Sequence, residues 1–257
     1  MADHALRSQL EIDVHRIGET RAPVLVIDGV LDDAATLVQA AASATGWREG
    51  PATGYPGIRT GLPASYARNL LRRLDPAIRR ELLPGPARLV RFDARFALVT
   101  RDPARLHPLQ RLPHIDVADP WRIALVHFLC DASFGGTGFF RQSATGLEQV
   151  LPQDREGHVK ARLTEVEQLP ARSGYPGKDT PGYELIAGFA ARFDRLLAYR
   201  AISLHSGLID SPALLSPDPL RGRLTTTFFL DYAAQSRPAG EQPHSAQLPC
   251  GQQTAIP

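Results

Sequence analysis

Two stretches of the chain are predicted as strands, one a nearly continuous apolar run and one a run in which polar and apolar side chains differ between its two faces. In residues 121–131 one face carries Ile123, Leu125, His127 and Leu129, and the other carries Ala124, Val126, Phe128 and Cys130. In residues 223–230 one face carries Arg223, Thr225, Thr227 and Phe229, and the other carries Leu224, Thr226, Phe228 and Leu230. Because side chains alternate along a strand with a period of two, each stretch predicts a strand with two different faces.

Further strands are predicted at residues 23–30, 87–100, 183–193 and 195–199. Helices are predicted at residues 34–44, 63–74, 76–83 and 156–169. Asp32 or Asp33 can cap the first helix, and Asp75-Pro76 separates the second from the third. In the fourth helix one face is predicted to lie on the sheet, that of Val159, Leu163, Val166 and Leu169. His158, next to this face, is expected to be solvated.

The stretch Leu112–Asp116 carries the candidate chemistry of the chain. If it is a strand, His114 and Asp116 lie on the same face. Two imidazoles and one carboxylate on one side of an ion form the facial triad of non-haem Fe(II) sites, which leaves open positions opposite the protein. His205 would complete such a triad. His-x-Asp is a common tripeptide, so its spacing alone does not identify a metal site. The surrounding sequence has to support that interpretation.

That context resembles a known family in the order of its motifs. The chain shows His114-x-Asp116, the apolar run 121–131, Gly135-Gly136, Phe193-Asp-Arg-Leu-Leu197, His205 and then Arg223. Over about residues 87–232 this order resembles the Fe(II)/2-oxoglutarate-dependent dioxygenases, most closely their prolyl-hydroxylase-like branch.

The resemblance implies a fold and an activity. The implied fold is α+β, a double-stranded β-helix or jelly-roll core with N-terminal supporting helices and a helical insertion. The expected organisation is one domain over residues 1–257 with its core at 87–232, and with 1–22 and 233–257 peripheral or poorly ordered. The implied activity is hydroxylation of a C–H bond in an amino-acid or peptidyl side chain, with Fe(II), 2-oxoglutarate and O₂. His114, Asp116 and His205 would be the metal ligands and the catalytic residues.

The resemblance also implies an arginine that opens the last strand and binds the distal carboxylate of 2-oxoglutarate, because a guanidinium fork suits a carboxylate. We favour Arg223, with Arg221 open as an alternative of the same parity and Thr225 as its neighbour on the strand. In the family a tyrosine of the earlier strand often assists, and here Phe128 takes that place without a hydroxyl. His127 is either a further co-substrate contact or a histidine of the core.

Two features lie outside the family pattern. The segment 143–182 is an insertion between ligand strands, and we expect it to govern the choice of substrate. The tetrapeptide Gly-Tyr-Pro-Gly occurs twice, at residues 54–57 and 174–177. The two copies are either similar turns or loops at the mouth of the site, with Tyr55 and Tyr175 touching substrate. His107, a loop histidine, is not expected to be a ligand.

Composition narrows the function without naming it. The 257 residues are 43% hydrophobic and 22% charged with a net charge of +2, typical of a globular chain. Basic residues are scattered, so no nucleic-acid partner is expected. No apolar run of membrane length and no signal-like N-terminus occur, which predicts a cytoplasmic protein without a membrane partner. The alternatives are a cupin-like or degenerate jelly roll that binds a small molecule without turnover, and a zinc hydrolase with the same three ligands. The oligomeric state is left open.

Overall fold

The computed structural model describes residues 4–170 and 174–235. Within them the strands are β1 (Asp13–Ile17), β2 (Ala22–Asp28), β3 (Arg48–Glu49), β4 (Gly57–Gly61), β5 (Ala87–Val99), β6 (Arg122–Phe128), β7 (Gly136–Gln142), β8 (Tyr183–Ala190), β9 (Arg195–Arg200), β10 (His205–Leu208) and β11 (Arg223–Ala234). The helices are α1 (Ala35–Ala42), α2 (Ala64–Glu81) and α3 (Arg155–Glu167). Of the tail expected at 233–257, Ala233 and Ala234 belong to β11, and the part from residue 236 onward lies outside the described residues.

The strands form two antiparallel sheets. The larger sheet has eight strands in the order β1-β2-β9-β6-β11-β5-β4-β3, and the smaller has three in the order β10-β7-β8. Strand β11 lies at the centre of the larger sheet, paired with β5 on one side and β6 on the other. The architecture is therefore mainly antiparallel β with few helices, of the sandwich or jelly-roll type.

The two faces of the larger sheet are both covered. Ile123 and Leu125 enter a core that also contains buried residues of α1 and α2. Ala124 and Phe128 point the other way, into a second core that includes Phe139 of the smaller sheet. The ring of Phe139 meets that of Tyr199 on β9 edge to face, with centroids 5.0 Å apart. Helices α1 and α2 thus cover one face of the larger sheet, and the smaller sheet packs on the other.

Helix α2 replaces the two helices predicted at 63–74 and 76–83. Pro76 lies inside this helix and lacks the N–H that would bond the carbonyl of Arg72, a loss of about 3 kcal/mol in a helix interior. The helix continues because one apolar face is buried on both sides of the proline, and each large side chain contributes roughly 1.5–3 kcal/mol. That face includes Tyr66, Leu70, Leu74 and Ile78.

Helix α3 lies within the predicted insertion, and only half of its predicted inner face packs on a core, that of Val166 and Leu169. Val159 and Leu163 are exposed, whereas His158 and Glu165 are buried. His158 Nδ1 hydrogen-bonds the side chain of Gln142 at 3.0 Å, so the prediction of a solvated His158 is wrong. Glu165 accepts a hydrogen bond from Tyr183 Oη at 2.6 Å. The inner face of α3 is polar because its polar groups find partners on the smaller sheet and the adjoining loop.

The N-terminal residues contribute to the sheet instead of lying apart from it. Residues 13–17, expected to be peripheral or poorly ordered, form β1 and pair with β2 at the edge of the larger sheet. Among the described residues, no helix is long and apolar enough to cross a membrane.

Candidate metal centre

Three predicted ligands come together between the two sheets. The potential ligand atoms of His114, Asp116 and His205 all lie within 4.8 Å of one another. His205 Nε2 is 3.8 Å from Asp116 Oδ2, and the two imidazole ring centroids are 4.6 Å apart. In the described residues this is the one group of three or more His, Cys, Asp or Glu side chains so arranged. Two imidazoles and one carboxylate are a donor set that suits a divalent transition metal.

Backbone pairing fixes the two histidines relative to each other. The N–H of His114 donates to the carbonyl of His205 at 2.9 Å, and the N–H of His205 donates to the carbonyl of His114 at 2.8 Å. The N–H of Asp116 donates to the carbonyl of Ala201 at 3.0 Å. Residues 112–116 do not form the expected strand, since His114 makes only an isolated antiparallel bridge. That bridge nevertheless extends the smaller sheet beyond β10 and aligns the site.

A hydrogen bond sets the tautomer of His205. Its Nδ1 lies 2.9 Å from the carbonyl oxygen of Ser203, which can only accept, so Nδ1 carries the proton. Nε2 is then unprotonated, and its lone pair is on the side of Asp116. Orientation of a ligand histidine by a backbone carbonyl is a common feature of metal sites.

The surroundings of Asp116 and His114 favour a bound cation. Asp116 Oδ2 is buried and has no hydrogen-bond partner. Burial raises the pKa of Asp116, against a smaller opposing effect of His205. Burial, together with the charges of His205 and Arg162, holds the pKa of His114 well below its usual range. A neutral imidazole and a buried carboxylate without a partner are what a bound cation would stabilise.

The three residues open onto a cavity of about 520 Å³ between the sheets. Its wall includes the predicted face of β11, with Arg223, Thr225, Thr227 and Phe229. Arg223 is only 4% exposed. Its Nε donates to the carbonyl of Phe134 at 3.0 Å and its Nη2 to the carbonyl of Gly136 at 2.7 Å. Those bonds hold the guanidinium at the start of β7, on the cavity wall.

The structure separates the two candidate arginines. The side chain of Arg221 is 83% exposed and faces Asp218 across 3.8 Å at the surface. It does not line the cavity. The alternative that Arg221 binds a ligand there is wrong, because Gly222 and the turn before β11 leave it outside the sandwich.

The two candidates on β6, His127 and Phe128, lie on opposite faces of the larger sheet. His127 faces the helices, where its ring nitrogens lie 2.7 Å from Tyr66 Oη and 2.9 Å from Asp194 Oδ1. It is a fully buried core histidine, so its prediction as a co-substrate contact is wrong. Phe128 is buried below the site, and the Arg223 guanidinium lies 5.6 Å from its ring centroid. Phe128 therefore packs against Arg223 and does not line the cavity itself.

Both tyrosines of the repeated tetrapeptide line the cavity. Tyr175 Oη donates to the carbonyl of Arg101 at 2.6 Å. Tyr55 Oη is buried without a hydrogen-bond partner, and burial raises the pKa of Tyr55 to about 12. Arg59 stands over the Tyr55 ring at 5.7 Å. The repetition of Gly-Tyr-Pro-Gly was the sequence signal for these two residues.

Arg162 of α3 also lines the cavity, and no pattern in the sequence singled it out. Its Nη2 donates to the carbonyl of Leu109 at 2.7 Å, and its Nε is buried without a partner. Among the described residues, three buried side-chain polar atoms lack a hydrogen-bond partner, and they belong to Tyr55, Asp116 and Arg162. All three residues line this one cavity, which marks it as a place prepared for polar ligands. His107 lies outside the triad and accepts a hydrogen bond from the N–H of Leu109.

Comparison with solved structures finds distant likenesses. The crystal structure of HygX from Streptomyces hygroscopicus, with nickel, 2-oxoglutarate and hygromycin B bound, is 14% identical with a TM-score of 0.43, over 82% of this chain and 83% of HygX. The crystal structure of EvdMO1 is also 14% identical with a TM-score of 0.39, over 88% of this chain and 56% of EvdMO1. Both likenesses are too distant to assign an activity to this chain.

Comparison with curated proteins finds no match. A family profile, in contrast, matches residues 8–230, which is most of the chain and includes all three candidate ligands. The chain therefore belongs to the family of unknown function DUF6445.

Proposed function

We propose that this protein is a non-haem Fe(II)/2-oxoglutarate-dependent oxygenase of the jelly-roll type, related to the prolyl-hydroxylase-like branch and folded as one domain. His114, Asp116 and His205 would hold the metal. The observation that carries the proposal is Asp116 Oδ2, which is buried without a partner beside two imidazoles in a cavity with a buried arginine. Bound Fe(II) would supply the activation of O₂, coupled to decarboxylation of 2-oxoglutarate. The proposed outcome is hydroxylation of a C–H bond in an amino-acid or peptidyl side chain.

The chain's own residues suit a dicarboxylate co-substrate. Arg223 presents a buried guanidinium whose backbone bonds to Phe134 and Gly136 fix its orientation. The Thr225 hydroxyl is buried two residues further along the same face. Tyr55 lines the same cavity and leaves a phenol hydroxyl free to donate. Together they form a cradle for a distal carboxylate, in which the Tyr55 hydroxyl takes the part that Phe128 cannot.

The same lining argues against a zinc hydrolase. Such an enzyme needs a general base near the metal-bound water. Among the described residues that line the cavity, the carboxylates and imidazoles are those of the triad alone. The three would all be engaged as ligands. A binding protein without turnover would share the geometry, and only a test of turnover separates it from an oxygenase.

The test is an anaerobic titration of the purified protein, first with Fe(II) and then with 2-oxoglutarate. We expect about one metal per chain and a visible charge-transfer band on addition of 2-oxoglutarate. Admission of O₂ should then produce succinate. Metal uptake with neither a band nor succinate would favour a binding protein and contradict the oxygenase.

Single replacements test the ligand set. His205→Ala and Asp116→Ala should each weaken metal binding more than about 100-fold, since even an outer partner of a ligand is worth 10- to 100-fold. His107→Ala is the matched control, because His107 is a loop histidine outside the triad, and it should keep the metal. Metal content is measured after dialysis at a fixed free concentration. Full occupancy in His205→Ala would show that the triad is not the site.

A further inference from the structure

Three arginines line the cavity, and none of them forms an ion pair with a carboxylate. They are Arg59, Arg162 and Arg223. Within residues 4–170 and 174–235, none of them lies within ion-pair distance of a carboxylate. Arginines without a carboxylate partner also occur elsewhere, such as Arg7 and Arg200, which donate to backbone carbonyls. Around the cavity, however, three such arginines line one space, and this grouping points to an anionic ligand.

The ligands of the proposed function do not account for this charge. The described lining carries three arginines and one carboxylate, that of Asp116. A divalent metal would add two positive charges, and 2-oxoglutarate would bring two negative charges. The cavity would remain positive with both in place. Arg59 and Arg162 are only partly buried, but the Nε–H of Arg162 is buried without an acceptor, so a further anion at Arg162 would be stabilised.

Arg162 is the arginine best placed to meet that anion. Its Nη2 donates to the carbonyls of Leu109 at 2.7 Å and Leu112 at 3.5 Å, so the guanidinium is fixed against the segment that leads into His114. Its Nε–H is buried with no acceptor. Arg223 is held by other carbonyls at the start of β7 and is already assigned to the co-substrate.

The acidic neighbour of Arg162 on α3 does not neutralise it directly. Glu165 accepts hydrogen bonds from Tyr183 Oη at 2.6 Å and from Gln142 Nε2 at 3.0 Å. Within the described residues Glu165 and Arg162 form no ion pair at 4.0 Å or less, although the charge of Glu165 opposes the lowering of the Arg162 pKa by burial. Glu165 therefore supports the positive charge of Arg162 from a distance and leaves its Nε–H available to a ligand.

We propose that the substrate is a small molecule or side chain that carries a carboxylate, and that Arg162 binds this carboxylate. The proposal rests on the proposed function and adds the chemical class of its substrate. The cavity of about 520 Å³ must also hold 2-oxoglutarate, which restricts the substrate portion inside it to a small group. α3 lies in the inserted segment 143–182, so the insertion would select the substrate through this arginine.

The experiment uses pairs of acids and amides of the same shape. The full chain is loaded with Ni(II) and 2-oxoglutarate, and these two steps report on the proposed function separately. Calorimetric titrations then compare benzoate with benzamide, hexanoate with hexanamide, and N-acetylglycinate with N-acetylglycinamide. In at least one pair the acid should bind about tenfold or more tightly than the amide, as expected for a charge-assisted hydrogen bond.

Substitutions in α3 test whether Arg162 causes the preference for the acid over the amide. Arg162→Gln should reduce the preference for the acid to within about twofold, and Arg162→Lys should keep part of it because the charge remains. Arg155→Gln is the matched control, since Arg155 is an exposed arginine of the same helix, and it should behave as wild type. Thermal melts verify that each variant is folded. Should wild type show no preference for any acid, or should Arg162→Gln retain the preference, the proposal is wrong, even where metal and 2-oxoglutarate bind normally.

Discussion

Replacement of Arg223 by Gln tests the co-substrate site most directly. Arg223 is 4% exposed and its nearest polar partners are backbone carbonyls, so a carboxylate that meets it would be bound out of water. Removal of one member of such a buried pair typically costs about 2–5 kcal/mol. We therefore expect Arg223→Gln to weaken the binding of 2-oxoglutarate roughly 30-fold or more.

Arg221→Gln provides the matched control two residues away. Arg221 is exposed and its contact with Asp218 is long, so this change should alter the affinity by no more than about 1 kcal/mol. Arg223→Lys should fall between the two, because an ammonium keeps the charge without the planar fork.

The assay is the apparent dissociation constant of 2-oxoglutarate at equal metal loading. Metal binding itself should survive all three changes, since neither arginine is a ligand. Arg223→Gln also takes donors from the carbonyls of Phe134 and Gly136, which should lower the melting temperature, so affinities are compared well below it. A strong effect at Arg221 with a weak one at Arg223 would contradict the assignment of Arg223. No effect at either would mean that the cation lies elsewhere or that 2-oxoglutarate is not the co-substrate.

Two further predictions concern the Tyr55 hydroxyl and the buried carboxylate of Glu148. Tyr55→Phe should weaken 2-oxoglutarate binding about 5- to 10-fold, because the Tyr55 hydroxyl has no partner in the protein. Tyr175→Phe should leave the affinity unchanged, because the Tyr175 hydroxyl already donates to the backbone carbonyl of Arg101, and equal affinities in the two variants would contradict a role for the Tyr55 hydroxyl. Burial raises the pKa of Glu148, but hydrogen bonds from Thr20, Arg141 and the N–H groups of residues 19 and 20 prevail and lower it from 4.5 to about 2. This carboxylate thus stabilises the fold above pH 4.5, and its contribution is lost as the pH falls from 4.5 to about 2. Glu148→Gln should lower the free energy of unfolding at pH 7 by about 2–3 kcal/mol, with the difference shrinking in denaturant titrations toward pH 2; a difference independent of pH would refute the assignment.

The sequence predicted the fold best for those strands in which all side chains of one face pack into the same core. Alternation in β6 and β11 assigned their faces correctly, because each face enters a different core. The pattern failed at α3, where satisfied polar side chains face inward and Val159 and Leu163 face water. It also failed at Pro76, since the apolar face of α2 outweighs one lost hydrogen bond.

The site could be predicted where chemistry and spacing coincide. His114, Asp116 and His205 meet as expected, although residues 112–116 form no strand and only a bridge aligns them. The position of Arg162 could not be predicted from the sequence, because its place in the cavity depends on the rotation of α3 about its own axis. His127 could not be assigned from its alternation alone, since both faces of the larger sheet are buried and only the structure shows which one borders the cavity.

The paired backbone bonds between His114 and His205 have a consequence for the order of events in folding. They join segments that are far apart in the chain, so the loop between them must close before the bridge can form. Contacts of this kind form slowly, because the entropy of closing the loop is lost before the contact is made. The metal ligands would therefore meet only in a chain that is already nearly native. On this basis an ion would lock a finished scaffold, slow its unfolding and leave the rate of folding almost unchanged.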